Sequence, residues 1–204
     1  MRSDSRAALL DEFPELAAEN VILPKEVYAH FGLVFFKFAL IEHSLINIMI
    51  FSTVGKMLAE RKIRSKSEWE NAFDAAEEKA VSCTFGNLVR HTVAVQEFSP
   101  LKDELKEAKV LRDYFAHHFM REESGFFSSD DGCWLLLEKI REVRIKAMAL
   151  EEILKQKFEQ MCIRFNIPLP SESDTSKMIE SYLKEHEEAL AAENPNVGWE
   201  KNAL

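Results

Sequence analysis

FGLVFFKFALIEHSLINIMIF, residues 31–51, is the stretch on which the fold turns. Stepping by four and three from residue 31 gives Phe31, Phe35, Phe38, Glu42, Leu45 and Met49, the recurrence of one helical face. Five of these six are apolar, and Glu42 interrupts them. Lys37, Glu42 and His43 leave no charge-free run of 18 apolar residues, so the segment is read as a core helix of about 26–53, not a membrane span. Pro24 ahead of it is a helix-start residue.

The remaining punctuation also delimits helices. Ser67 with Glu70 forms a capping-box pattern for a helix around 68–80, and Thr84 introduces FGNLVRHTVAV. Ser99-Pro100 pairs an N-cap residue with proline at the first helical position, opening a helix to about 121. SGFFSSDDG at 124–132 breaks the pattern. A second long helix, about 134–166, then carries Ile140, Val143, Ala147, Leu150, Leu154, Met161 and Phe165 on one face. IPLPSES at 167–173 reads as a linker, and about 174–193 as a weaker amphipathic helix. With only 6 Gly and 6 Pro among 204 residues, and 15 Phe for the core, the expected fold class is all-α: an up-and-down helical bundle of four to five helices with a C-terminal helical tail. The domain plan is a lead segment 1–25, a bundle 26–166, and a linker with acidic tail 167–204.

The chain has 26 basic and 35 acidic residues, a net charge of −9, which argues against non-specific grip on nucleic acid. Residues 171–204 carry −5 of it. That tail reads as a solubilising helix, a nucleic-acid mimic or a partner-docking segment. Two basic strips stand out locally. RKIRSK at 61–66 supplies Arg61, Lys62, Arg64 and Lys66, the candidate RNA-binding residues; Lys139, Arg141, Arg144 and Lys146 form the other. Each strip alone also reads as solvated surface. Cys83, Cys133 and Cys162 are odd in number and lack metal-ligand spacing, as expected of free thiols in a reducing compartment. MRSDSRAALLDEFPELAAEN at the N-terminus is acidic where a signal peptide is basic and then apolar. The expected location is cytoplasmic, without membrane attachment.

LRDYFAHHFM, residues 111–120, carries the chemistry. Positions 101, 105, 108, 112, 115 and 119 read Leu, Leu, Ala, Arg, Phe and Phe, so Arg112 is the charged intruder on an apolar stripe. A charge there is costly unless paired or used. Glu42 and Arg112, opposite in sign on two long helices, are expected to face each other. His117 lies five residues after Arg112, about 140° around a regular helix. The two converge only if the helix distorts near Ala116 or a second subunit contributes its copy. Asp113, four residues before His117, is placed to orient the imidazole; His118, beside Phe115 and Leu111, reads as packing. Arginine with an oriented histidine suits RNA cleavage by 2′-hydroxyl attack on the adjacent phosphate: histidine moves the proton and arginine stabilises the transition-state oxygens. That chemistry needs no metal and no cofactor. The other reading of these residues is a structural Arg112–Glu42 pair with His117 at a surface or interface. His91, Cys83, His117 and His118 fit no standard metal-ligand spacing.

The phrase RDYFAH resembles the Arg, four-to-six residues, His motif of HEPN domains, where the residue after the arginine is commonly Asn and sometimes Asp. LRDYFAHHFMRE is similar to the R-N-Y-L-A-H-H-F-F form of a bacterial branch. FGLVFFKFALIEHSLINIMI resembles that family's first long helix with its acidic residue, and TFGNLVR a Thr-Leu-Gly-x-Leu-type helix start; the likeness covers roughly 26–165. The resemblance implies a helical bundle that dimerises to bring two motifs into one cleft. The implied activity is that of a metal-independent endoribonuclease, a hydrolase of toxin–antitoxin or phage-defence systems acting on single-stranded RNA. Arg112 and His117 would be catalytic, with Asp113 and Glu42 supporting. A nucleotidyltransferase-type antitoxin is an implied partner. In the branch that such an antitoxin modifies, the target is a tyrosine two residues after the histidine; here that residue is Phe119, and Tyr114 is not equivalent. The alternative is a non-catalytic module of the same fold that binds nucleotide, RNA or protein.

Overall fold

The computed structural model describes residues 22–169 and 171–193. The lead segment through residue 21 and tail residues 194–204 lie outside the described residues. All regular structure among those described is helical: α1 Ile22–Ala59, α2 Lys66–Val81, α3 Phe85–Val93, α4 Lys102–His117, α5 Phe119–Glu122, α6 Asp130–Arg164 and α7 Glu172–Glu193, with 3-10 turns at Ser99–Leu101 and Ser124–Ser128. The chain divides into two compact units between Asn166 and Ile167.

Several helix starts differ from the sequence reading. α1 begins before Pro24, which sits within the first turn, where a missing N–H costs no helical hydrogen bond. The capping box of α2 is Ser65 with Glu68, not Ser67 with Glu70. The Ser65 hydroxyl accepts from the Glu68 N–H at 3.2 Å, and the Glu68 carboxylate accepts from the Ser65 N–H at 3.1 Å. Two overlapping Ser-x-x-Glu patterns compete there. A left-handed turn at Arg61 (φ 56°) followed by the buried Ile63 brings Ser65 into place first. Ser99 does not cap α4, because its hydroxyl donates back to the Gln96 carbonyl, and Pro100 lies in the 3-10 turn ahead of the helix. α6 starts at Asp130 under a Ser129 cap, with Asp130 and Asp131 complementing the positive end of the helix dipole.

In the first unit, α1 packs against α2, α3, α4 and α6. α1 and α6 run in the same direction: Tyr28 stacks on Phe127, Lys37 pairs with Glu151, Phe51 meets Phe158, and Phe165 lies against Gly55. α4 runs the opposite way, with Phe115 near Phe38, Arg112 near Glu42, and Phe119 just beyond it near Phe31. Val34, Ile41, Leu45 and Ile48 of α1 are fully buried with Leu105 of α4 and Ile140 and Leu154 of α6. Burying such side chains stabilises the fold by about 1.5–3 kcal/mol each. Phe35, expected in the core, is 45% exposed. The buried stripe of α1 runs through 27, 34, 41 and 48 and leaves residue 35 about 100° to one side.

By length and composition alone, Leu23–Ala59 of α1 is apolar enough to cross a membrane, and 39% of its most apolar window is buried within the protein. Its two mid-helix charges, Lys37 and Glu42, are matched by charges on α6 and α4.

In the second unit, Ser171 caps α7 through reciprocal bonds with Asp174. That helix presents Met178, Ile179, Tyr182 and Leu183 as exposed apolar side chains.

Candidate active site

Arg112 emerges from the apolar face of α4, between the buried Ala108 and Phe115. Its guanidinium lies 4.0 Å from the Glu42 carboxylate of α1, an ion pair too long for a hydrogen bond, and donates to Asp113 at 3.3 Å. The Phe85 ring, at the start of α3, lies 5.7 Å from it in cation–π geometry. Phe85 is set there by the Thr84 cap, whose hydroxyl accepts from the Asn87 N–H. Arg112 and Glu42 are 28% and 32% exposed. The two charges therefore meet at the edge of the core, where solvent reaches them.

Asp113 turns backward along α4. It accepts from Lys109 at 2.5 Å and from Arg112, with no bond to His117. The Lys109 hydrogen bond, with Arg112 adding to it, holds the Asp113 carboxyl below the usual carboxylate range. The i, i+4 relation to Lys109 was as visible in the sequence as the one to His117. The Lys109 ammonium carries a full opposite charge on a long flexible stem, and it takes the carboxylate.

His117 is the last residue of α4 and is exposed. Among the described residues it makes no hydrogen bond or ion pair, and its ring stands edge-on to His118 at 6.5 Å. The break in the helix comes one residue later, at His118 (φ −123°, ψ −39°). Distortion therefore does not swing His117 toward Arg112. The two remain on faces about 140° apart, with Arg112 inward and His117 outward. His118 is not packed in the core as expected. Its Nδ1 lies 2.8 Å from Arg121 and 3.2 Å from Glu122, and its ring stacks over Tyr114.

A network absent from the sequence reading spans this break. Tyr114 donates to Glu123, and Lys139 of α6 donates to both the Glu123 carboxylate and, at 2.9 Å, the Tyr114 hydroxyl. Lys139 also lies 4.9 Å from the Tyr114 ring centre. The Lys139 bond, followed by the Tyr114 bond, lowers the Glu123 carboxyl; burial, followed by the Glu123 bond, raises the Tyr114 phenol. Phe119, beyond the break, is fully buried against Phe31 and Phe115. No local spacing announces contacts 16 and 25 residues apart.

The strip at 61–66 lies beyond the C-terminal end of α1, about 25 Å along that helix from Glu42. Arg61, Lys62, Arg64 and Lys66 are all exposed. Lys62 pairs with Glu60 and Lys66 with Glu70, while the Arg64 guanidinium donates to the Arg61 carbonyl. The structure does not bring the strip to Arg112 or His117. His91 is turned to Ser52 at 3.3 Å, and burial first, then Lys56 and Lys79, lowers its pKa. Among the described residues no group of three His, Cys, Asp or Glu side chains is arranged to hold a metal ion. The three cysteines are free, and burial with Glu159 nearby pushes the Cys162 thiol up to about 11.

Comparison with protein-family models found no match, and neither the curated proteins nor the solved structures gave one.

Proposed function

We propose that this chain is a metal-independent endoribonuclease of the HEPN type, folded as an up-and-down bundle of four to five helices and cleaving single-stranded RNA by 2′-hydroxyl transesterification. The observation that carries the proposal is the pairing, on one helix, of a half-exposed Arg112 steadied by Glu42, Asp113 and Phe85 with an exposed, unbonded imidazole at His117. Because the two face apart, the working site is a homodimer's, in which two copies of the motif share one cleft. The exposed apolar side chains Leu33, Phe35 and Phe36 on α1 support self-association.

In this mechanism one imidazole removes the 2′-hydroxyl proton and the oxygen attacks the adjacent phosphorus. The 5′-oxygen leaves with a proton from the partner's His117, giving a 2′,3′-cyclic phosphate and a 5′-hydroxyl. Arg112 stabilises the charge that grows on the non-bridging oxygens. The strip at 61–66 holds the same RNA only where the strand spans about 25 Å. The setting is a cytoplasmic toxin–antitoxin or phage-defence system. A nucleotidyltransferase-type antitoxin would need a target other than residue 119, which is a buried phenylalanine. The test is Arg112→Ala in a cleavage assay with helical content checked by circular dichroism. Lost cleavage with the fold retained supports the assignment; undiminished cleavage removes it.

A second reading has its own support. Arg112 already faces two carboxylates, as it would in a non-catalytic module of this fold that binds nucleotide, RNA or protein. There, Arg112→Ala changes affinity or stability and there is no turnover to lose.

A further inference from the structure

Away from Arg112 and His117, the seam between α1 and α6 opens into a groove of about 940 Å³, the size of a small-molecule site. Along one face of α6 it is lined by Trp134, Glu138, Arg141, Arg144 and Met148, and on α1 by His30. Trp134 is 60% exposed, a large aromatic surface left open to solvent. Arg141 and Arg144 make no ion pair or hydrogen bond among the described residues, and the Arg144 Nε is buried without a partner. The contrast is with Lys139 and Lys146 on the far side of the same helix, which are matched by Glu123 and Glu107. In a chain of net charge −9, two adjacent unmatched arginines beside an open indole call for an anion with a flat apolar part.

The spacing narrows the ligand. Arg141 and Arg144 lie about 10 and 15 Å along the helix axis from Trp134, and Glu138 stands between them on the same stripe. A fatty carboxylate would bring no donor to Glu138 and would leave its charge against a hydrocarbon chain. A nucleoside phosphate satisfies all four groups. Its base stacks on Trp134, its ribose hydroxyl or exocyclic amine donates to Glu138, and its phosphates take the two guanidinium groups. Asp131, the other groove acid, lies at the Trp134 end, away from the phosphate end.

We propose that the α1–α6 groove is a binding site for a nucleoside phosphate, with Trp134 as the stacking platform and Arg141 and Arg144 as the phosphate clamp. The site is independent of the cleavage reading. The same chemistry is offered by a free nucleotide and by an RNA strand, and their lengths distinguish them.

The test is calorimetric titration of the full chain with AMP, with ATP, and with a four-residue oligoadenylate whose 2′-O-methyl groups prevent cleavage. Tighter binding of ATP than of the oligomer marks a free-nucleotide site; the reverse marks a strand site. In either case Trp134→Ala and the Arg141→Ala/Arg144→Ala pair weaken binding at least about ten-fold, and Lys146→Ala, outside the groove lining, leaves it unchanged. Should the paired variant unfold, the exposed Arg141→Gln alone gives a smaller loss in the same direction. Absence of binding by all three probes at millimolar concentration, or affinity unchanged in both the Trp134 and the arginine variants, would overturn the proposal.

Discussion

The Arg112 guanidinium stands 4.0 Å from the Glu42 carboxylate, joining the middle of α4 to the middle of α1. Asp113 and the Phe85 ring complete its surroundings. A guanidinium presents five N–H donors in a fixed plane, and these contacts fix that plane without closing it, since more than a quarter of the side chain remains exposed. Glu42 is therefore a positioning group for Arg112. Glu42→Gln is expected to lower RNA cleavage about ten-fold or more while changing stability by less than about 1 kcal/mol, as for exposed pairs. Parallel rate and urea-denaturation measurements separate the two.

Asp113 sets the charge beside the site. Replacing it with Asn leaves Lys109 unneutralised next to Arg112. RNA binding by Asp113→Asn should tighten several-fold, with a steeper salt dependence. Filter binding at two ionic strengths reads this, and a weaker affinity would show that the carboxylate is needed for more than pairing.

Stability should respond to pH through the Tyr114–Glu123–Lys139 network. The Glu123 carboxyl is lowered from 4.5 by Lys139 and Tyr114, so its contribution is complete above that value and is lost as pH falls through the lower folded one. Lys139 is raised: burial opposes its charge, but the bonds to Glu123 and Tyr114 outweigh it. Its contribution is complete below 10.5 and is lost as pH rises through the folded value. Lys139→Met should cost about 1–2 kcal/mol at neutral pH and flatten the acid limb. Thermal midpoints from neutral pH down to about pH 3 for parent and variant provide the comparison.

Two glycines mark close approaches and should respond differently. A Cβ at Gly132 would strike the Phe126 carbonyl oxygen, a backbone atom at the turn preceding α6. Gly132→Ala should cost about 1–3 kcal/mol. At Gly55 a Cβ would meet the Phe165 side chain, a half-buried group that yields more readily than backbone, so Gly55→Ala should cost less. Guanidinium denaturation of both variants, with unchanged slopes, tests the ordering.

The all-α class was legible because apolar residues on 31–51, 101–119 and 134–166 keep helical spacing over many turns, and burial of a continuous stripe follows from that spacing. Helix starts were less legible. Ser65 and Ser67 offer equivalent caps in sequence, and only the Arg61 turn, a tertiary feature, chooses between them. The same limit applied to the site. The meeting of Arg112 with Glu42 followed from two charges on two core stripes. The capture of Asp113 by Lys109 instead of His117, and the Tyr114–Glu123–Lys139 network, depend on competition and on long-range packing that periodicity does not encode. A helix continuing past His118 would pack its ring; the break at that residue turns it outward instead.

Incubation of the purified protein, beside its His117→Ala variant, with labelled single-stranded RNA in EDTA, followed by analysis of the product ends, reads the proposed chemistry directly. Cleavage by the parent alone is expected, leaving 2′,3′-cyclic phosphates and 5′-hydroxyls. Equal cleavage by the folded His117→Ala protein, or activity that disappears with the chelator, would contradict it.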